Sequence, residues 1–306
     1  MPAEIEKEIF DRLAEKGYVV RMLSAERLGE LKDEIEGRHD QGLFDEEFYS
    51  ERLTSFVIEP PADLARARSV VVIAAPQPHF NIYFDWHGKR RRYYIPSTYL
   101  YYPNREAEGI LTPFLNSQGY HLARSSVPLK LLAVRSGLGR YGKNNVCYIE
   151  GLGSFNRLMA FYTDVPCSHD DWQESRIMEE CQKCMACIRG CPTGAISSDR
   201  FLLHAERCLT YWNERRGEFP GWIDPAWHHA LVGCLYCQNA CPKNKDLINR
   251  YVDKCSFSEE ETDLLLKATP FDQLPEATAG KLTGIDWTED LDILARNLNV
   301  LLKQSS

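Results

Sequence analysis

The sequence predicts an α+β fold for residues 1–170, a cysteine-rich module at 171–250 and a helical extension at 251–306. Helical stripes alternate with β-branched runs in the first part, eight of the eleven cysteines lie between Cys181 and Cys241, and leucine stripes follow them. With 306 residues, of which 44% are hydrophobic and 26% charged, the chain is long enough for more than one globular domain.

The first part is predicted to build a sheet flanked by helices. An apolar residue recurs at every fourth position from Ile5 to Leu13, which is typical of a helix. Residues 19–23 form a strand candidate, and Ser24 is suited to cap the helix that follows. The run Ser69 to Ala75 is rich in β-branched residues, which indicates a buried central strand. His87-Gly88 is interpreted as a turn between two further strands.

The later elements are predicted from the same patterns. We expect helices at 105–118 and 128–134, strands at 145–150 and 158–163, a helix that begins with a Ser258–Glu261 capping box, and a last helix capped by Thr288.

The overall charge limits the classes of partner. A formal net charge of -8 argues against broad, non-specific affinity for nucleic acid. The one dense basic run, Lys89 to Arg92, is either a solvated hairpin tip or a contact for an anion. No apolar run approaches the roughly 20 residues of a membrane helix, and Met1 to Asp11 lacks the layout of a secretory signal. We therefore expect a cytoplasmic protein without a membrane partner, in which many cysteines indicate metal or redox chemistry.

The cysteine spacing is that of the two-cluster bacterial ferredoxins. The pattern is Cys181-x2-Cys184-x2-Cys187-x3-Cys191-Pro192, then Cys208, then Cys234-x2-Cys237-x3-Cys241-Pro242. In such ferredoxins the fourth cysteine of a run binds the other cluster. The rule predicts two 4Fe-4S clusters, one held by Cys181, Cys184, Cys187 and Cys241, the other by Cys191, Cys208, Cys234 and Cys237.

The same cysteines have two alternatives to an electron-transfer role. Thiolates also suit zinc, but a zinc site normally stops at paired CxxC motifs and does not require the longer run. Clusters that only brace the fold are the other alternative. Two adjacent clusters more naturally form a path for electrons.

A glycine-rich segment, Arg135 to Asn145, is the densest signal upstream of the cysteines. Gly137, Gly139 and Gly142 would let the backbone approach a large ligand closely. The segment matches a dinucleotide loop only in part, so an ordinary turn remains the alternative.

These motifs together resemble the epoxyqueuosine reductases, which are cobalamin-dependent iron–sulfur enzymes of queuosine biosynthesis, similar to the respiratory reductive dehalogenases. The resemblance is carried by SVPLKLLAVRSGLGRYGKNN at 126–145, Gly153-Ser154, the first cysteine run with PTGAI, Arg207 to Tyr211, and Gly233 to Asn244. Pro61 to Val70 and the C-terminal Ala295 to Leu298 resemble the family more weakly.

The resemblance implies a nitroreductase-like domain that binds base-off cobalamin without a protein histidine, followed by a ferredoxin-like module and a short helical tail. It also implies a low-potential donor such as ferredoxin or flavodoxin, and a small-molecule substrate. The cobalamin contacts carried over by position are Lys143, Asn144, Ser154, Thr210, Tyr211, Gly233, Leu235 and Tyr236.

The chain departs from the family at the predicted proton donor. Ser125 occupies the position of the family's aspartate, and a serine hydroxyl is not an acid near neutral pH. Arg140 and Tyr141 replace a tryptophan and an isoleucine before Gly142-Lys143. The candidate catalytic residues are therefore Ser125 by position and Tyr141 by analogy with a tyrosine donor in the dehalogenases. The acidic charge and a tail of only 65 residues after Cys241 led to the expectation that tRNA is not a partner.

Three functions remain open at this level. The chain is a cobalamin-dependent reductase, an electron-transfer or corrinoid-handling protein without epoxyqueuosine reductase activity, or a flavin-type reductase. Cobalt, iron and flavin content would separate them.

Overall fold

The structure is a computed structural model that describes residues 2–304. The strands are β1 Val19–Ser24, β2 Ser69–Pro76, β3 His79–Trp86, β4 Lys89–Ile95, β5 Leu122–Arg124, β6 Arg140–Tyr141, β7 Cys147–Tyr148, β8 Asn156–Thr163 and β9 Tyr251–Phe257. The helices are α1 Pro2–Ala14, α2 Gly29–Asp40, α3 Glu46–Phe48, α4 Tyr102–Ser117, α5 Leu129–Arg135, α6 Ala186–Gly190, α7 Leu209–Glu214, α8 Tyr236–Asn239, α9 Glu259–Leu266, α10 Glu276–Gly284 and α11 Leu291–Gln304.

The described chain forms two compact units, each assembled from separate stretches of sequence. The first unit comprises residues 2–77, 101–185 and 198–202, and the second comprises 78–100, 186–197 and 203–304. The β3–β4 hairpin thus belongs with the C-terminal half of the chain, although it lies between elements of the first unit in the sequence. The division of the sequence at residues 170 and 250 stays a prediction about domains.

The first unit is built on a four-stranded antiparallel sheet in the order β1-β2-β8-β5. The central strand β2 is buried at every position before its last proline, as its β-branched run predicted. Because successive side chains point to opposite faces, Val70 and Val72 pack with α2 and α5, whereas Val71 and Ile73 pack with α1 and α4. This antiparallel sheet between helices confirms the predicted α+β class.

The second unit contains a three-stranded sheet in the order β4-β3-β9. The hairpin turn at His87-Gly88 is confirmed, because β3 pairs antiparallel with β4 on either side of it. Strand β9 pairs parallel with β3, so that His79 lies opposite Tyr251. One face of this sheet is apolar and packs Ile82 and Phe257 against Leu298 of α11.

Most helix boundaries follow the local signals in the sequence. The Ser258 side chain accepts a hydrogen bond from the Glu261 backbone while the Glu261 carboxylate accepts one from the Ser258 backbone, which confirms the capping box of α9. The predicted cap at Thr288 is wrong, because α11 begins at Leu291. The strand expected at 145–150 shortens to Cys147–Tyr148, since only these two residues pair with β6.

None of the described helices is both long and apolar enough to span a bilayer. The cytoplasmic localisation stays a prediction.

Candidate metal centre

Three of the cysteines assigned to one cluster lie together in the second unit. Burial is the main cause that raises the pKa of Cys234, and the neighbouring thiols of Cys208 and Cys191 raise it further. Burial likewise raises the pKa of Cys208, with Cys191 adding to the effect. Neighbouring thiolates that are partly shielded from water repel each other unless a cation neutralises them, and iron supplies that positive charge. The arrangement therefore fits an iron–sulfur cluster.

Hydrogen-bond donors surround the same thiols. The backbone N–H groups of Thr210 and Tyr211 and the Thr210 hydroxyl donate to the Cys208 sulfur, which favours the thiolate form. The backbone N–H of Tyr236 does the same for Cys234. Such donors are typical of cluster sulfur atoms and help to set their reduction potential. Thr210 and Tyr211 thus contact a predicted cluster ligand, while their cobalamin role stays a prediction.

Helix α6, within the first cysteine run, packs on α8, the helix of the second run. Cys187 is buried on α6, and a Cβ added at Gly190 would lie 2.9 Å from the Ala240 Cβ, so only a glycine permits this approach. Cys241 follows directly after Ala240, and Cys237 lies on α8. In the first unit, the Cys184 backbone donates to the Cys181 carbonyl at 3.3 Å. The assignment of these cysteines to clusters stays a prediction from their spacing.

Lys143 reaches the loop of the first cysteine run. Its Nζ donates to the Cys184 carbonyl at 3.1 Å and to the Gln182 carbonyl at 3.4 Å. Because the Lys143 side chain is partly buried, solvent ions screen its positive charge less than that of an exposed lysine. The observed partners of Lys143 are therefore backbone carbonyls beside a predicted cluster ligand.

Replacing Lys143 with methionine is expected to lower the reduction potential of the cluster that Cys184 is predicted to bind. A nearby positive charge stabilises the reduced, more negative cluster, and its removal favours the oxidised form. A redox titration followed by electron paramagnetic resonance measures the shift. Lys130→Met, at an exposed position on α5, is the matched control and should leave both midpoints unchanged. Equal midpoints in the wild type and Lys143→Met would contradict the expectation.

The glycine-rich segment packs closely on its own chain. A Cβ at Gly139 would lie 2.7 Å from the Tyr148 carbonyl oxygen, and one at Gly142 would lie 2.5 Å from Asn144 Oδ1. The buried Asn144 donates to the Tyr148 hydroxyl at 3.0 Å and accepts from the Val146 N–H at 3.4 Å. These contacts account for two glycines without a ligand, which favours the ordinary-turn interpretation. The cobalamin role of Asn144, and of the buried Ser154, stays a prediction.

The two candidate catalytic residues have different surroundings. The Ser125 hydroxyl donates to the Ala160 carbonyl of β8 at 2.8 Å. Tyr141 is 6% exposed in the core of the first unit, with its ring 5.1 Å from that of Phe201. Burial raises the pKa of Tyr141, so its hydroxyl stays protonated at neutral pH. Catalytic roles for both residues stay predictions.

The remaining predicted contacts line the start of the second cysteine run. Gly233 has a φ of +67°, and a Cβ there would lie 2.3 Å from the Tyr99 hydroxyl oxygen. Leu235 is buried, and its N–H donates to His229 Nε2 at 3.2 Å. The Tyr236 ring contacts the His229 ring with centroids 4.1 Å apart. Close packing therefore holds this loop, whichever ligand it meets.

Sequence reasoning missed a polar network that positions the same loop. The fully buried Asn213 on α7 donates to the Gly233 carbonyl at 2.7 Å. Asn297 on α11 donates to the carbonyls of Asn213 and Leu231, both at 2.9 Å. Its neighbour Arg296 donates to backbone carbonyls after α7, including that of Arg215 at 2.7 Å. The only hint in the sequence was the weak resemblance of Ala295 to Leu298 to the epoxyqueuosine reductases, which did not indicate what these side chains contact.

Among residues 2–304, no three His, Cys, Asp or Glu side chains are close enough together to hold a single metal ion. The thiolates of a 4Fe-4S cluster bind separate iron atoms, so this finding concerns mononuclear sites.

Comparison with known proteins now specifies the metal class. Residues 180–244 match the protein-family model described as a 4Fe-4S double cluster binding domain, which confirms the predicted iron–sulfur module. The curated epoxyqueuosine reductase of Staphylococcus aureus is 26% identical over 235 residues, which cover 73% of this chain and 60% of that protein. The chain thus matches less than two thirds of that relative's length.

Solved structures extend the likeness to nearly the whole chain. An epoxyqueuosine reductase from Bacillus subtilis superposes with a TM-score of 0.70 at 21% identity, over 99% of this chain and 82% of that one. The chain has the epoxyqueuosine reductase fold. A further epoxyqueuosine reductase, solved with an epoxyqueuosine-modified stem loop of tyrosine tRNA, gives a TM-score of 0.69 at 20% identity over the same shares of the two chains.

The expectation that tRNA is not a partner has no support from these comparisons, because one relative of the same fold was solved with a tRNA stem loop. A total charge of -8 does not describe local surfaces, so the net charge alone does not decide whether RNA binds. Residues 79–95 and 242–257 carry eight Lys or Arg against three Asp.

Proposed function

We propose that this protein is an iron–sulfur oxidoreductase that passes electrons through two 4Fe-4S clusters to a bound cobalamin and thereby reduces a small or nucleoside-like substrate. The gathering of Cys191, Cys208 and Cys234 among hydrogen-bond donors carries the proposal. The double-cluster match and the fold support it. Cobalamin would supply a strongly reducing cobalt centre, and the protein's part is to bind, orient and exclude water.

The residues proposed to hold the groups keep their assigned roles. The seven cysteines of the two runs, together with Cys208, would bind the clusters, and the backbone N–H groups of α7 and α8 would tune their reduction potentials. The residues proposed to contact cobalamin remain Lys143, Asn144, Ser154, Thr210, Tyr211, Gly233, Leu235 and Tyr236. Most of these residues already have a packing or backbone contact within the protein. We therefore expect them to contact cobalamin by van der Waals packing and not through an unpaired polar group.

Metal and corrin content test this proposal directly. After anaerobic reconstitution with iron, sulfide and cobalamin, we expect about eight iron atoms per chain and near-stoichiometric cobalt. Added reductant should bleach the iron–sulfur absorbance and then change the corrin spectrum. Iron without cobalt would favour the electron-carrier alternative, and flavin without cobalt would favour the flavin-type reductase. A sample without iron–sulfur absorbance would refute the proposal.

The second candidate, a corrinoid-reducing protein without epoxyqueuosine reductase activity, is favoured by one observation. Ser125 stands where the resemblance implies a carboxylic acid, and its hydroxyl is bonded to the Ala160 carbonyl. A serine hydroxyl donates protons poorly near neutral pH, whereas general acids typically contribute about 10²–10⁴-fold to a rate.

Replacing Ser125 with aspartate should separate the two candidates. If the chain is a reductase that acts on epoxyqueuosine, turnover of a modified stem loop should rise by about tenfold or more over a low wild-type rate. Ser126→Asp, one residue along, is the matched control and should not raise it. Product formation is measured by mass spectrometry of the digested RNA. No turnover in any of the three proteins, with corrin reduction intact, would favour the corrinoid-reducing alternative.

A further inference from the structure

The three-stranded sheet of the second unit has a second face, opposite the apolar one that packs on α11. Its side chains alternate with the buried apolar ones, and we call the side chains of Tyr83, Arg90, Arg92, Tyr94 and Tyr251 the open face. Tyr83 lies opposite Arg92 in the hairpin, and the Arg90 guanidinium lies 4.8 Å above the Tyr83 ring. Arg90 and Arg92 are exposed, and Tyr251 on the edge strand β9 is 38% exposed. The open face therefore presents cations and aromatic rings to solvent.

The charge around the open face opposes that of the whole chain. Residues 79–95 and 242–257, which contain β3, β4 and β9, carry eight Lys or Arg against three Asp, in a chain of net charge -8. Two of the three acids lie on the same face as Arg90 and Arg92. Asp85 is opposite Arg90 in the hairpin, and Asp253 accepts hydrogen bonds from Asn81 and Tyr83, both at 2.8 Å. The excess of positive charge therefore comes from the residues that surround the face. A cationic surface on an otherwise acidic protein attracts acidic partners and orients them during encounter.

A continuous series of contacts leads from the open face to the second cysteine run. The ring centroids of Tyr251 and Tyr94 are 5.9 Å apart, and those of Tyr94 and His229 are 5.8 Å apart. His229 Nε2 accepts from the N–H of Leu235, the residue after Cys234. Nδ1 of His229 lies 3.1 Å from the Trp227 carbonyl, and this bond places the proton on Nδ1. A series of packed aromatic rings therefore leads from solvent toward Cys234, and its last ring, His229, is held in one tautomer.

We propose that the open face docks a small acidic electron-carrier protein that reduces the iron–sulfur module. The inference rests on the proposed function, since it names the entry point for its electrons. In each encounter the reduced carrier loses one electron and the module gains it, with no bond made or broken. An RNA backbone would also meet the arginines, but the contacts that end beside Cys234 serve an electron carrier specifically.

Charge reversal on the open face tests the proposal. In stopped-flow mixing of the reconstituted protein with reduced flavodoxin, Arg90→Glu/Arg92→Glu is expected to lower the second-order rate of cluster bleaching by about tenfold or more at low salt. In the wild type this rate should decrease as ionic strength rises, and in the variant that dependence should disappear. Reduction by dithionite, a small molecule, should be unchanged, and so should the iron content, which shows that the variant is folded. The neutral variant Arg90→Gln/Arg92→Gln should give an intermediate rate.

A matched control carries the same change of charge elsewhere. Lys7 and Lys32 are exposed on α1 and α2 of the first unit, and Lys7→Glu/Lys32→Glu should keep the wild-type rate with flavodoxin. An unchanged rate in the open-face variant would overturn the proposal. If the variant instead lost affinity for a modified stem loop while flavodoxin still reduced its clusters, the open face would be an RNA-binding surface, and the proposal would also be overturned. Failure of the proposed function would give a different result. The iron–sulfur absorbance would bleach, but an added corrinoid would stay unreduced.

Discussion

Cys208→Ala is expected to remove one cluster and lower the iron content from about eight to about four atoms per chain. Cys208 lies outside both cysteine runs, yet its sulfur is buried beside those of Cys191 and Cys234 and accepts hydrogen bonds from the start of α7. No other cysteine of the second unit is left over to replace it except Cys255, whose place in β9 is fixed by pairing with Ile82. Iron analysis and electron paramagnetic resonance of the anaerobically reconstituted protein measure the loss.

A cysteine outside the two runs provides the control for this experiment. Cys167 is partly buried in the first unit and lies outside the ferredoxin spacing, so Cys167→Ala should retain the wild-type iron content. Electron flow to an added corrinoid should stop in Cys208→Ala and continue in Cys167→Ala. Full iron content in Cys208→Ala would show that the assignment of ligands by the ferredoxin rule is wrong.

Asn297→Ala is expected to destabilise the second unit by roughly 2–4 kcal/mol, because two buried carbonyls would each lose a donor at a cost of about 1–3 kcal/mol. Those carbonyls belong to Asn213 and Leu231, which both lie within the segment between Cys208 and Cys234. The loss should therefore appear both as a lower urea midpoint and as faster loss of iron–sulfur absorbance during unfolding.

The exposed Asn299, two residues along the same helix, gives the matched comparison. Asn299→Ala should change the urea midpoint very little, because surface substitutions usually stay within about 0.5 kcal/mol. Equal stability of Asn297→Ala and the wild type would mean that other donors reach the two carbonyls, and that α11 does not hold the cysteine loop through this side chain.

Local patterns were sufficient to predict elements whose stability is local. The β-branched β2, the turn at His87-Gly88 and the capping box at Ser258 each depend on neighbouring residues, and each is present. Strand β9 was missed, because its sequence contains Asp253 and Lys254 and shows no alternation. Its extended form comes from pairing with β3, which is distant in sequence and gives no local signal.

In the candidate site, too, local features could be predicted from the sequence and long-range contacts could not. The cysteine spacing was informative because cluster geometry itself dictates it, whereas the leucine stripe of α11 predicted a helix without indicating the task of Asn297. Its partners lie 84 and 66 residues away. The glycine-rich segment was ambiguous for a related reason, since a glycine required by a ligand and one required by the chain's own Tyr148 carbonyl look the same in sequence.

The parallel pairing of β3 with β9 also has a consequence for biosynthesis. Asn81 and its partner Asp253 are 172 residues apart, so β3 leaves the ribosome long before its second neighbour exists. At about 5–20 residues per second, translation leaves that strand with an unpaired edge for on the order of 10–30 s. Such an edge invites pairing with other nascent chains. Slow translation would therefore first cause aggregation of incomplete chains, before any loss of redox activity in the chains that are completed.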